Sequence, residues 1–108
     1  MHSLVQPIKR TCPISRIGSG SGHHFFGYYD KTNWGAGDRL LLGHRVAALD
    51  FDLVPDSVAE VGYFDLAGDG AFHPCGRTTA WNWQMGAQLQ WLDAARSQRL
   101  IYNVRTND

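Results

Sequence analysis

Apolar and polar positions alternate in short runs along this chain, and turn residues interrupt every run. Arg39-Leu40-Leu41-Leu42-Gly43-His44-Arg45 reads as a short buried strand, and Glu60 to Leu66 as another. Ala67-Gly68-Asp69-Gly70 is a hairpin turn signal, after which Ala71 to Gly76 returns as a further short strand. His23-His24-Phe25-Phe26-Gly27-Tyr28-Tyr29-Asp30-Lys31 is the densest aromatic and polar stretch. Strand alternation there places Phe26 and Tyr28 on the face of His24, and Phe25 and Tyr29 on the face of His23. Ile14 to Ile17 is expected to form a short strand within a loop-like lead-in. Asn33 to Asp38 is expected to form a turn, and the acidic stretch Phe51 to Ser57, with Pro55, an exposed loop.

The second half repeats the first. Gly86 to Leu92 predicts a strand, Asp93 to Gln98 a turn, and Arg99 to Arg105 the next strand. Residues 39–45 and 99–105 share an arginine, a leucine and a closing arginine at an offset of 60, and Gly27 and Gly86 fall close to the same offset. The rival for this region is a helix over Ala87 to Arg99, where Leu89, Leu92 and Ala95 have partly helical spacing. Repeated short strands point to an all-β chain of propeller type, in which each blade is a four-stranded sheet. The expected organisation is a flexible segment over 1–22, a first blade over about 23–76, and the start of a second over about 77–108. That is an incomplete β-propeller of about one and a half four-stranded blades. Its open sheet edges predict self-association, or completion by the missing blades of a longer chain.

Composition narrows the function classes. Hydrophobic residues make up 44% of the 108, so the chain is not disordered as a whole. Ten Lys and Arg balance ten Asp and Glu, which gives no basic excess to support a nucleic-acid partner. No apolar run approaches the length of a membrane-spanning helix, so no membrane partner is expected. The first residues lack a secretory pattern, and a cytoplasmic setting with free thiols at Cys12 and Cys75 is the default.

Several residues could carry chemistry. Trp81, Asn82, Trp83 and Gln84 precede the first strand of the second blade. Indole faces stack on sugar rings and the amides donate and accept hydrogen bonds, which suits a carbohydrate ligand. The competing reading is a packed joint between blades, favoured by the weight of aromatics in cores. His24 and Tyr28 join the candidate ligand site from the first blade. His23, His24, Asp30 and Gln84 offer nitrogen and oxygen ligands for a divalent metal. Adjacent strand histidines point to opposite faces, and structural roles are preferred for them, so no cofactor is expected from this chain. Tyr28, Tyr29 and Asp30 could form an acid–base group if Lys31 or Arg45 lay close enough to assist a tyrosinate. The serines lack a nucleophile-elbow context.

The stretch His23 to Lys31, the strand Val61 to Leu66, the segment Ala80-Trp81-Asn82-Trp83-Gln84-Met85-Gly86, and the runs Leu89 to Leu92 and Ile101 to Asn103 resemble the opening of TolB-like and oligogalacturonate-lyase-like bacterial propellers. The resemblance covers about residues 22 to 108. It implies an amino-terminal portion of a protein several times longer, and no activity from these 108 residues alone. It also implies two alternatives to simple carbohydrate binding: part of a polysaccharide lyase or glycosidase, or a protein-interaction propeller. Lyases of this architecture use a metal held by histidines and a glutamine. That set comes mostly from later blades, so a divalent metal is implied only for the longer parent.

Overall fold

A computed structural model describes residues 11–18, 20–48 and 53–106. Expectations for residues 1–10, and for Ser19, Phe51 and Asp52, lie outside the described residues. The chain is all-β. Strands β1 (His23–Phe25), β2 (Leu40–Val46), β3 (Ala59–Asp65) and β4 (Phe72–Thr78) form one antiparallel sheet in sequence order. Strands β5 (Gln90–Trp91) and β6 (Leu100–Ile101) form a separate two-stranded hairpin. A 3-10 turn at Ala36–Asp38 lies between β1 and β2. Among the described residues, the sheets do not close into a barrel or a propeller ring.

Register sorts the side chains of the first sheet onto two faces. His44 pairs with Phe25 and Val61, and Leu42 pairs with Tyr63, so Phe25, Leu42, His44, Val61 and Tyr63 share one face. Leu42 and Val61 there are completely buried, and Ala87 and Leu89 from the second half of the chain close over them. Trp81, Trp91, Leu100 and Tyr102 pack around this cluster. The other face carries Leu41, Phe64 and Phe72, with Ile17 and Leu66 against them. Arg45 and Glu60, neighbours in register, form an ion pair on that face at 2.8 Å, and the Arg45 guanidinium lies over the Phe72 ring.

Three sequence expectations change, and the rival helix over 87–99 is excluded. Ile14 to Ile17 forms no strand: Ile14 is exposed, while Ile17 packs on the second face and the Gly18 amide donates to Gly70 O at 3.0 Å. The first strand stops at Phe25, because Gly27 takes a left-handed φ of 91° and the chain leaves the ladder. Alternation therefore does not extend to Tyr28 and Tyr29. No helix forms over 87–99. Gln88 sits at a φ of 57°, which breaks helical continuity, and the Asp93 carboxylate accepts from the Ser97 and Arg99 amides and shapes a turn instead. The expected long strands over 86–92 and 99–105 shrink to two paired residues each.

Candidate functional site

β1 lies at the edge of the four-stranded sheet, with one side of its backbone unpaired by any described strand. Past Phe25 the chain crosses the second segment at close range. A Cβ on Gly27 would stand 2.9 Å from the Met85 carbonyl oxygen, so only glycine fits that crossing. The crossing brings the chain that follows Gly27 beside the chain that precedes Gly86.

On one side of the crossing Phe25 anchors an aromatic group. Its ring stacks on His44 at 4.6 Å and lies 5.4 Å from Trp81 and 5.1 Å from Trp83. The two indoles meet edge to face at 4.9 Å. Trp81 is tied down further, since its Nε1–H donates to Ser57 O at 2.9 Å and its ring reaches the apolar cluster. Both indoles are half-buried. Asn82 is exposed but its Oδ1 accepts from the Met85 amide at 2.7 Å, and two backbone bonds with Gly86 close this tight turn. Gln84 projects at the exposed tip.

On the other side, Tyr28 and Tyr29 pack ring on ring at 4.4 Å. With Phe26, Asp30, Lys31, Asn33 and Trp34 they border an open depression of about 570 Å³. Tyr29 is 85% exposed, Trp34 43% and Phe26 40%. The Tyr28 hydroxyl donates to the Tyr29 hydroxyl at 3.3 Å, which raises its pKa above the usual phenol value. Lys31 binds both oxygens of Asp30 at 3.0 Å, and Arg45 is held by Glu60. Neither cation assists Tyr28, which agrees with the structural reading preferred for this aromatic pair over an acid–base group.

His24 stands apart from the tryptophans. Its ring lies 5.1 Å from Phe64 and 5.2 Å from Phe72, on the second face of the sheet, and its Nδ1 is buried without a hydrogen-bond partner among the described residues. Alternation within β1 turns Phe25 and His24 to opposite faces, so Phe25 meets Trp81 and Trp83 while His24 does not. Exposed His23 is the histidine whose alternation matches Phe25. Among the described residues, no three His, Cys, Asp or Glu side chains gather as a metal ion requires.

His44, which the sequence marks only as a strand residue, is the polar centre of the joint. It is completely buried. Its Nε2 accepts from the Ala87 amide at 3.0 Å, which leaves the proton on Nδ1 to face Phe25 O at 3.3 Å. One imidazole thus links β1, β2 and the second segment. A polar residue ending the apolar run Leu40-Leu41-Leu42-Gly43 is the signal that could have singled it out. Tyr29 drew notice only as part of the aromatic stretch 23–31, and Trp34 fell in the expected turn Asn33 to Asp38, so the sequence did not join them.

Comparisons with protein families, with curated proteins and with solved structures return no match. The fold and site therefore define an all-β chain with an aromatic-rich sheet edge.

Proposed function

We propose that residues 23–78 are one blade of a β-propeller, that 81–105 open the next, and that the aromatic rim along β1 binds a polar, ring-bearing ligand of carbohydrate type. Four antiparallel strands paired in sequence order are the repeating unit of a propeller, and a following hairpin packed on one face of that sheet supports the blade reading. The observation that carries the ligand reading is Tyr29, 85% exposed on a concave surface shared with Trp34 and Phe26. Exposed aromatic faces beside a carboxylate and an amide fit a sugar, whose CH faces stack while its hydroxyls hydrogen-bond. Trp83 extends this rim across the Gly27 crossing, and Trp81 serves mainly as packing.

Tyr29→Ala tests the reading, because that ring contributes little burial. Titrating the full chain with neutral oligosaccharides, the variant should bind about tenfold or more weakly, by analogy with loss of a stacking platform. Its melt should shift by less than about 0.5 kcal/mol in stability. Unchanged affinity in a folded variant would remove Tyr29 from the site and with it the main support for this reading.

A further inference from the structure

We infer that a second cleft, between the four-stranded sheet and the β5–β6 hairpin, is a binding site for a small ring-bearing carboxylate. The cleft has a volume of about 500 Å³, within the range of small-molecule sites. Its walls include Tyr63 from the sheet, Trp91 and Leu100 from the hairpin, and the guanidinium-bearing residues Arg39 and Arg96. One carboxylate, Asp65, lines it, and that group is already satisfied: Arg39 Nε and Nη2 reach its two oxygens at 3.1 Å each. Arg96 has no such partner. Its side chain makes no hydrogen bond or ion pair among the described residues. Two guanidinium groups against one carboxylate leave the cleft with an excess positive charge.

The loop presenting Arg96 is built rigidly. Arg96 occupies a left-handed backbone conformation at φ 51°, uncommon for a long side chain. Its amide donates to Asp93 O at 3.0 Å, and the Asp93 carboxylate takes the Ser97 and Arg99 amides at 3.2 and 3.1 Å. The Arg96 carbonyl accepts from the Ala36 amide at 3.2 Å, which docks the loop against the first sheet. Trp91 is fixed too, since its Nε1–H donates to Asn33 O at 3.1 Å. A guanidinium free for bidentate pairing, set beside a fixed indole in a cleft, matches a carboxylate joined to a flat or ring-shaped body. Strain retained at Arg96 is consistent with a functional demand on that position.

The test is a residue-resolved NMR titration of the full chain with benzoate, and with benzyl alcohol and inorganic phosphate as controls. Benzoate should give saturable shifts at the Trp91 indole N–H and at Arg96 to Gln98, weakened by added salt. Arg96→Gln should weaken that binding by about tenfold or more, as expected for a charge-assisted bidentate contact. Arg96→Gly, which suits the left-handed backbone, should fold at least as stably as the parent and also fail to bind. The inference is overturned if benzoate shifts no residue of the cleft, if benzyl alcohol or phosphate acts equally well, or if both Arg96 variants bind as the parent does. Tyr29→Ala should leave benzoate binding intact, so this site and the β1 rim fail or stand separately.

Discussion

Replacing His44 with leucine should destabilise the protein at neutral pH by about 2–4 kcal/mol, because it leaves the Ala87 amide and the Phe25 carbonyl buried with no partner from that ring. The same residue should govern the response to acid. Burial lowers the His44 pKa from the ordinary 6.5 to about 4, against the opposing pull of its bond to Phe25 O. Between those two values the unfolded chain takes up the proton and the folded chain resists it. The stability that neutral His44 contributes is therefore fully present above pH 6.5 and declines as the pH falls toward 4. The shift corresponds to about 3 kcal/mol in all. Urea unfolding across this range should show wild type and His44→Leu converging in acid, with the variant lacking most of the slope. An unaltered slope in the variant would show that another group sets the acid response.

Phe64→Ala should cost about 3–5 kcal/mol. Phe64 is 1% exposed and sits among His24, Phe72 and Phe26. The packing there is close enough that a Cβ on Gly43 would lie 2.8 Å from the Phe64 ring. Deleting the ring removes apolar burial and leaves a cavity that a sheet face cannot readily collapse. Phe26→Ala, only 6.1 Å away between ring centroids but at the exposed rim, should cost less than about 1 kcal/mol. Denaturant midpoints of the two variants, measured side by side, check the contrast. Equal losses would place the core of this face elsewhere.

The first two of the three long strands of this sheet were legible as apolar runs bounded by turn residues, and the third from the hairpin turn that precedes it. The run 39–45 became Leu40–Val46, 60–66 became Ala59–Asp65, and 71–76 became Phe72–Thr78, with the Gly-Asp turn in place between the last two. The end of β1 was not legible. It is set by the passage of Met85 over Gly27, a contact between residues far apart in sequence. The shortness of β5 and β6 likewise follows from Gln88 turning left-handed and from Asp93 drawing two amides into its loop. Alternation forecast that His23 and His24 would part. It could not say which sheet face the second segment would cover, and that choice grouped Trp81 and Trp83 with Phe25 and His44 rather than with His24. The cleft at Arg96 was hidden for the same reason, since it exists only where the hairpin meets the sheet.

The most direct test of the central claim maps ligand contacts on the unaltered chain. Backbone and side-chain NMR signals would be followed as neutral oligosaccharides of increasing length are added. The account predicts saturable changes confined to the β1 rim: Phe26, Tyr28, Tyr29, Asn33, Trp34 and Trp83. On the face that Phe26 adjoins, the response should stop at Phe64, whose ring lies 6.1 Å from Phe26, and should not reach His24 or Phe72. Absence of saturable change at the rim, or changes centred on His24 and Phe72, would contradict it.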